Sequence, residues 1–331
     1  MNACFAGNKD KLFEVYPYYI RKQLSETYRF DSDFVLTEEN LKENAEKTKD
    51  IEYIFSTWNM PCWTSEEIKT CLPKLKAVFY AAGTVQYFAK PFLENGVRVF
   101  SAWKANGLPV AEYTFAQIIL ANKKYLKYVR KSPFGWVKKE KVNIPLGNYK
   151  FKVGILGDGA IGSEVIARLK TLECEIYLFS ITKSPEDAEK EGIHLCSLSE
   201  IFRECDVISN HLANNAQTQK IITKELLCSM KPDATFINTG RGAQVDEKGL
   251  CLALLQEKER TALLDVTHPE PPKPCSPLWY LPNVFMTPHI AGSLGQEFWR
   301  MADYMVKESI ALTQGQELHY EVTDEMLKTM A

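Results

Sequence analysis

The chain has 331 residues, 45% hydrophobic and 25% charged, and its 40 Lys and Arg against 42 Asp and Glu leave a formal net charge of -2. This length suggests about two domains, and the apolar content is sufficient for packed cores, which excludes extensive disorder. The near-neutral balance removes any whole-protein electrostatic argument for binding nucleic acid or a membrane surface.

The spacing of the cysteines and the length of the apolar runs exclude further classes of protein. The nine cysteines are scattered and form no C-x-x-C pair, a pattern that argues against a disulfide scaffold and a structural zinc site. Lys and Asp interrupt the apolar run at the N-terminus, and no stretch reaches the roughly 20 apolar residues of a membrane span. We therefore expect a cytoplasmic protein with reduced thiols, no metal, no membrane contact and no nucleic-acid partner.

The first hundred residues carry three short apolar runs, separated by charged segments with helix-like spacing. The runs are EYIFST from Glu52, LKAVFYAA from Leu75 and VRVFSA from Val97. This alternation predicts a parallel α/β sheet. One long helix is expected next, AEYTFAQIILANKKYLKYVR from Ala111, because apolar residues recur there every three or four positions before a breaker at 132–135.

Beyond Gly147 a second series of apolar runs follows, with helical or loop segments between most of them. The runs are KVGILG, EIYLFS, DVISNHL, ATFINTG, ALLDVT and NVFMTP. Six strands in this order are what one complete dinucleotide-binding domain needs. The amphipathic segment GQEFWRMADYMVKESIALTQG, after Ser293, predicts a last helix.

The most informative local motif is Gly157-Asp158-Gly159-Ala160-Ile161-Gly162, which stands between the apolar strand 152–156 and the helical run SEVIARLKTL. In this frame Gly157 makes a tight turn, Gly159 lets the backbone approach a pyrophosphate, and Gly162 allows helix and strand to pack closely. The helix N-terminus presents unpaired N–H groups and a partial positive charge to the phosphates. The motif predicts a dinucleotide site that includes Ala160 and Ile161, with a glycine-rich turn that holds no ligand as the alternative.

The choice between the two nicotinamide dinucleotides depends on the end of the second strand of this domain. An Asp or Glu there would hold the ribose 2'-hydroxyl of NAD(H), but the strand runs into Ser180, followed by Ile181, Thr182 and Lys183. A hydroxyl pair and a cation permit the 2'-phosphate of NADP(H), although a single surface Lys is more often simply solvated. We expect NAD(H) or NADP(H), with a slight preference for NADP(H).

Three further motifs stand at strand ends of the same half: INTGRGAQVDEKGL from Ile237, LLDVTHPEPP from Leu263 and MTPHIAGS from Met286. In this order, with the glycine loop upstream, they resemble the motifs N-x-x-R-G-x-x-V-D-E, L-D-V-F-x-x-E-P and H-x-G-G/A-S of the D-isomer-specific 2-hydroxyacid dehydrogenases. The resemblance extends from about Leu75 to Ser309. It implies an α/β protein with two Rossmann-like or flavodoxin-like parallel-sheet domains. The cofactor domain, 111–293, is inserted into the substrate domain, 1–110 plus 294–331.

The resemblance also implies roles for three residues of a hydride-transfer site. Arg241 binds the carboxylate and carbonyl of the substrate, because its planar fork is always charged and grips two oxygens. His289 is the acid/base, and Glu270 is the carboxylate that orients it. Hydride then passes between NAD(P)H and C2 of a small 2-oxo acid or D-2-hydroxy acid. His268 is the competing base, and its place in the motif favours a rim position.

The resemblance also implies further cofactor and substrate residues, at positions where the chain matches the family motifs less closely. The loop HLANNAQT resembles a cofactor loop of the family but has Ala213 in place of Pro and Asn215 in place of Thr, and Val85 replaces the Asp of a substrate-binding turn. The implied cofactor residues outside the glycine loop are Ser180, Thr182, Lys183, His211, Leu212, Ala213, Thr218, Thr239, Gly240, Asp265 and Gly292. The implied substrate residues are Gly83, Thr84, Asn106, Trp58 and Met60.

Two other interpretations concern partners and turnover. The segment 120–145 interleaves Lys and Arg with aromatic residues, a pattern that could touch nucleic acid. A solvated helix face is the better interpretation, and the resemblance implies a homodimer contact through the cofactor domain and this segment. The alternative to an enzyme is a cofactor-sensing, co-repressor-like protein of the same fold with little turnover; the presence of Arg241, Glu270 and His289 argues against it.

Overall fold

Parallel sheets form the frame of both units into which the chain divides. In the computed structural model, which describes residues 1–131 and 146–328, unit 1 comprises Met1–Gly107 with Ser293–Ala331, and unit 2 comprises Leu108–Gly292. Among the described residues no helix has the length and apolar character needed to cross a membrane.

Unit 1 is built on a six-stranded sheet of order β13-β5-β4-β3-β1-β2. Its strands are β1 Asn2–Ala6, β2 Arg29–Leu36, β3 Tyr53–Ser56, β4 Ala77–Tyr80, β5 Arg98–Ser101 and β13 Glu321–Val322. The first five are parallel, and the C-terminal β13 is antiparallel to β5. The helices are α1 Lys9–Val15, α2 Tyr18–Thr27, α3 Ala45–Thr48, α4 Ser65–Cys71, α5 Ala89–Glu94 and α13 Glu297–Gln314.

The central strands of unit 1 are apolar throughout because both faces of the sheet are covered. Every residue of β3 and β4 is buried. In-register pairing sets Phe55 beside Phe79 and Phe79 beside Phe100, and their rings stack with centroids 5.1 and 5.0 Å apart. The Met301 and Met305 side chains of α13 pack against this aromatic face. The last helix of the chain is therefore part of the core of unit 1.

Unit 2 is built on a seven-stranded, fully parallel sheet of order β12-β11-β10-β9-β6-β7-β8. Its strands are β6 Phe151–Leu156, β7 Cys174–Phe179, β8 Ile193–Leu195, β9 Val207–Asn210, β10 Thr235–Asn238, β11 Thr261–Leu264 and β12 Val284–Met286. Its helices are α7 Tyr125–Lys131, α8 Ala160–Leu169, α9 Pro185–Lys190, α10 Leu198–Glu204, α11 Lys224–Ser229 and α12 Glu247–Gln256. The strand order reverses between β6 and β9, the point where doubly wound sheets bind their ligands.

The helix that leads from unit 1 into unit 2 differs from the sequence prediction. It is α6 Trp103–Asn122, which begins before Ala111 and contains Pro109. It does not continue to the end of the predicted run, because Lys124 has a φ of 50° and a separate helix, α7, follows. The predicted breaker at 132–135 lies outside the described residues.

The sequence also underestimated the number of strands. The strands β1, β2 and β13 of unit 1 were not predicted, and the described residues of unit 2 form seven strands instead of six. The added strand, β8, has only three residues, and one of them is buried. Such a short edge strand lacks the apolar run on which sequence-based prediction depends.

A buried histidine supports the turn that follows β6. His211 comes directly after β9, and its backbone N–H donates to Leu156 O over 2.8 Å. Its Nε2 lies 2.9 Å from Ser209 Oγ, while its buried Nδ1 has no hydrogen-bond partner among the described residues. Burial lowers the pKa of His211 to about 3. The imidazole is therefore neutral over the physiological pH range.

The buried imidazole of His211 should make the folding stability of unit 2 decrease at acid pH. The pKa of His211 rises from about 3 in the folded protein to the ordinary 6.5 on unfolding. The unfolded state therefore binds the extra proton, and stability is complete above about pH 6.5 and declines as the pH falls toward 3. One proton contributes a slope of at most about 1.4 kcal/mol per pH unit. Urea unfolding between pH 5 and pH 7.5 should show a smaller pH dependence for His211→Gln than for wild type.

The exposed His194 supplies the control for this measurement. His194→Gln should keep the wild-type pH dependence, because this imidazole lies at the surface. Equal slopes for wild type and His211→Gln would contradict the assignment.

Candidate active site

The glycine loop joins β6 to α8 and has the geometry of a phosphate cradle. Gly157 has a φ of 93°, and a Cβ on it would lie 3.0 Å from His211 O; a Cβ on Gly162 would lie 2.0 Å from Gly157 O. Packing thus requires the first and third glycines. A Cβ on Gly159 would meet nothing within 4 Å, so the space over the helix N-terminus is open. A pyrophosphate needs this opening, and the residues present fit one.

The turn after β7 is organised by Ser180, whose Oγ accepts hydrogen bonds from the backbone N–H groups of Thr182 and Lys183, both at 3.0 Å. Thr182 Oγ1 donates to Asp158 Oδ1 over 3.4 Å. Lys183 Nζ lies 2.6 Å from Glu191 Oε1, and this hydrogen bond raises the pKa of Lys183. Residues 180–183 include no carboxylate, but that of Asp158, from the glycine loop, lies beside this turn in space.

A buried glutamine that sequence reasoning missed holds the loop after β9. Gln244 Nε2 donates to Leu212 O at 3.0 Å and to Ala213 O at 2.9 Å, and its Oε1 accepts from Asn210 Nδ2 at 2.7 Å. Thr218 Oγ1 also donates to Ala213 O, over 2.7 Å. The amide of Gln244 and the hydroxyl of Thr218 therefore hold the carbonyls of this predicted cofactor loop. The signal available in the sequence was Gln244 between the R-G and V-D positions of its motif.

His289 and Glu270 form a direct pair, with His289 Nδ1 2.7 Å from Glu270 Oε1. Both side chains are partly exposed, at 49% and 42%. Arg241 follows β10 and donates through Nη1 to Gly240 O over 2.9 Å. Burial lowers the pKa of Arg241, and the charge of Glu270 acts in the opposite direction. The structure thus brings the three residues together, while the side chain of the exposed His268 has no contact with Glu270 among the described hydrogen bonds.

Close backbone packing explains how Arg241 reaches Glu270. A Cβ on Gly242 would lie 2.0 Å from the carbonyl carbon of Thr267. The loop that carries Arg241 therefore touches the turn that leads into Glu270, and only glycine permits this approach. The glycine of the R-G pair positions the arginine beside the carboxylate.

Asp265 holds the turn that carries His289. Oδ1 of the buried carboxylate accepts hydrogen bonds from Thr287 Oγ1 at 2.7 Å and from Ile290 N at 2.8 Å. Oδ2 accepts one from Ala291 N at 2.9 Å. The backbone O of Asp265 accepts from His289 N at 3.0 Å. His289 itself has a φ of 54°, a region that few non-glycine residues adopt. Several hydrogen bonds to one buried residue stabilise this conformation.

A cavity of about 230 Å³ lies within unit 2, beside the ends of β10, β11 and β12. Thr239, Asp265 and Thr287 line one side of it, and Tyr113 of α6 lines another. The Tyr113 hydroxyl lies 3.0 Å from Thr287 Oγ1, and Thr239 Oγ1 lies 3.1 Å from the hydroxyl of Thr114. Helix α6 thereby links to the turns that carry the predicted site residues.

The predicted substrate residues lie in unit 1. A Cβ on Gly83 would lie 3.2 Å from Asn106 Nδ2, so this turn and that side chain are adjacent. Trp58 packs edge-on against Phe298 with ring centroids 5.2 Å apart. The Met60 side chain is only 2% exposed and belongs to the core of the unit. Its packing role was not apparent from the sequence.

Among residues 1–131 and 146–328 no group of His, Cys, Asp and Glu side chains is arranged to hold a metal ion.

Alanine substitutions should separate the two uses of glycine in the loop. Gly159→Ala should weaken dinucleotide binding by about ten-fold or more, because a methyl group enters the open space, while stability stays near wild type. Gly162→Ala should lower the free energy of unfolding by about 1–3 kcal/mol, because the added Cβ meets backbone. Calorimetric titration and urea unfolding measure the two effects. A stable Gly162→Ala protein with unchanged affinity would contradict this division.

Known proteins with similar sequences contain the same type of dinucleotide-binding domain. Residues 115–291 match the sequence profile described as D-isomer specific 2-hydroxyacid dehydrogenase, NAD binding domain. A glyoxylate reductase of Korarchaeum cryptofilum (strain OPF8) is 30% identical over 288 residues, which cover 86% of this chain and 86% of the relative. A D-3-phosphoglycerate dehydrogenase of Archaeoglobus fulgidus is 31% identical over 223 residues, or 67% of this chain, and the match spans only 42% of that longer relative.

Solved structures show the same fold. The NAD-complexed D-isomer specific 2-hydroxyacid dehydrogenase of Lactobacillus delbrueckii ssp. bulgaricus superimposes with a TM-score of 0.80 at 17% identity, over 98% of this chain and 100% of that one. The matched profile, the relative aligned over most of both chains and the arrangement of the glycine loop lead to one conclusion. The chain belongs to the D-isomer specific 2-hydroxyacid dehydrogenase family.

Proposed function

We propose that the protein is an NAD(P)-dependent oxidoreductase that interconverts a small 2-oxo acid and the corresponding D-2-hydroxy acid. The observation that carries this proposal is the 2.7 Å contact between His289 and Glu270, beside a charge-coupled Arg241. These residues share unit 2 with a glycine loop that fits a dinucleotide. When bound, the dinucleotide supplies or accepts the hydride.

Arg241 binds the acid. Its guanidinium offers two parallel N–H donors to a carboxylate or to a carboxylate and the neighbouring carbonyl oxygen. Burial strengthens such an interaction, since water competes less for the same oxygens. The charge of Glu270 opposes the effect of burial on the Arg241 pKa, and the guanidinium is cationic throughout the physiological pH range.

His289 moves the proton. Its Nδ1 faces Glu270, so the carboxylate orients the ring and leaves Nε2 for the substrate oxygen. In the reductive direction the protonated imidazole donates to the carbonyl oxygen, and in the oxidative direction the neutral ring accepts the hydroxyl proton. Asp265 supports this exchange indirectly, because it fixes the turn from which the ring projects.

The substrate class rests on the family and on the relatives' names, which include a glyoxylate reductase and a D-3-phosphoglycerate dehydrogenase. Both names support a small acid with an oxygen at C2. The resemblance implies that Gly83, Thr84, Asn106 and Trp58 of unit 1 are substrate residues, and this stays a prediction. Met60 contributes through the core of unit 1.

The cofactor is NAD(H) or NADP(H). The slight sequence preference for NADP(H) rested on Lys183 and on a strand end without a carboxylate. Two contacts weaken that argument, the ion pair of Lys183 with Glu191 and the position of Asp158 beside Thr182. The cytoplasmic location stays a prediction. So does the homodimer through the cofactor domain and the 120–145 segment, of which 132–145 lies outside the described residues.

The experiment that tests this function is a panel of 2-oxo acids offered with NADH and with NADPH. Glyoxylate, hydroxypyruvate, pyruvate and bulkier 2-oxo acids are the substrates, and loss of absorbance of the reduced cofactor is the measurement. We expect turnover with at least one acid. Tight cofactor binding without turnover on any acid would replace the enzyme proposal with the cofactor-sensing one.

Replacement of the acid/base should abolish most of this turnover. His289→Ala removes the proton donor, so kcat should fall by about 10²–10⁴-fold while the dissociation constant of the cofactor changes little. His268→Ala is the matched control, because this exposed histidine lies two residues before Glu270, and it should keep kcat near wild type. The roles are wrong if His268→Ala is the inactive variant.

A further inference from the structure

The adenosine end of the dinucleotide site contains an acidic residue in an unusual place. Doubly wound dinucleotide domains carry the carboxylate for the ribose at the end of the second strand, where this chain has Ser180. Asp158 belongs instead to the glycine loop, one residue after the turn at Gly157. It is only partly buried, so its carboxylate is accessible to a ligand that lies across the loop.

Hydrogen bonds tie this loop to the end of β7. Gly157 N donates to Phe179 O over 2.8 Å, which joins the glycine turn to the last residue of that strand. Thr182 Oγ1 donates to Asp158 Oδ1 over 3.4 Å. The carboxylate of Asp158 therefore lies beside the turn 180–183, at the strand end where doubly wound dinucleotide domains bind the adenosine ribose. Thr182 gives it a long hydrogen bond, which leaves the carboxylate able to accept from hydroxyl groups.

The cation of the same turn is already engaged by carboxylates. Lys183 Nζ lies 2.6 Å from Glu191 Oε1, and the other oxygen of Glu191 lies 2.9 Å from Lys170 Nζ. The charges of Asp158 and Asp187 also stabilise the protonated Lys183. A 2'-phosphate would have to displace Glu191 and would still meet the charge of Asp158. An unphosphorylated ribose would instead donate its hydroxyl hydrogens to that carboxylate.

We infer that Asp158 is the residue that selects the unphosphorylated ribose, and that the protein takes NAD(H) in preference to NADP(H). The inference rests on the dinucleotide-binding function proposed above and reverses the slight preference for NADP(H) drawn from the sequence. Glu191 has a second role, because it holds Lys183 away from a 2'-phosphate. Selectivity thus comes from the carboxylate of Asp158 in the glycine loop and from Glu191 at the end of α9. These residues take the place of a carboxylate at the end of β7.

Direct binding tests the inference without catalysis. Dissociation constants for NADH and NADPH are measured by calorimetric titration on the full chain. Wild type should bind NADH at least about ten-fold more tightly than NADPH. Asp158→Asn keeps the shape of the side chain and removes its charge, so the ratio of the two constants should fall by about ten-fold or more. Asp158→Ser should shift the ratio in the same direction if the asparagine variant folds poorly.

Two further variants separate this residue from general charge. Asp187→Asn removes one negative charge from the first turn of α9 and should shift the ratio far less than Asp158→Asn does. Glu191→Gln releases Lys183 and should tighten NADPH several-fold while NADH binding stays near wild type. Between about 50 mM and about 500 mM salt the wild-type ratio should shrink, because repulsion between exposed charges is screened.

Three results would overturn the inference: a wild-type preference for NADPH, an unchanged ratio in both Asp158 variants, or equal shifts in Asp158→Asn and Asp187→Asn. In each of these cases dinucleotide binding itself persists, so the result does not contradict the proposed function, which the turnover panel tests separately. If wild type binds neither dinucleotide, the proposed function fails and the inference fails with it.

Discussion

The fully parallel sheet of unit 2 places the carboxyl ends of all seven strands at one edge. Gly157 follows β6, His211 follows β9, Thr239 follows β10 and Asp265 follows β11. Backbone hydrogen bonds fix the strands relative to one another, so the turns that follow them acquire fixed relative positions. The contacts described for the unit 2 part of the candidate site depend on this common edge.

Close backbone packing then brings the loops at this edge near enough for their side chains to form a site. Gly162 lets α8 approach the turn at Gly157, and Gly242 lets the loop of Arg241 touch the turn that leads into Glu270. The carboxylate of Asp265 binds the turn of His289 at several backbone and side-chain donors. Glycine is required where backbones meet, and a buried acid is required where a turn must be held, so these residues position the side chains of the candidate site.

The charges around each part of the proposed site matter more for ligand binding than the total charge of the chain. The chain as a whole carries a formal charge of -2, which indicates nothing about where an anion binds. At one end of the proposed site Arg241 lies in a partly buried position beside Glu270. At the other end Asp158 and Glu191 surround Lys183. The first arrangement suits a substrate carboxylate, and the second suits a ribose without a phosphate.

The sequence alone predicted the fold class from its apolar runs and the glycine loop from residues adjacent in the chain. The set of Arg241, Glu270 and His289 followed from the resemblance of three motifs that stand far apart in the chain. It did not reveal β8 or β13, whose few residues carry little apolar signal. It also missed Gln244 and the position of Asp158 beside Thr182. Those contacts join residues from different strand ends, and their partners become neighbours only when parallel strands align. The tertiary structure therefore decided how the loops are held and which carboxylate lies beside the turn after β7.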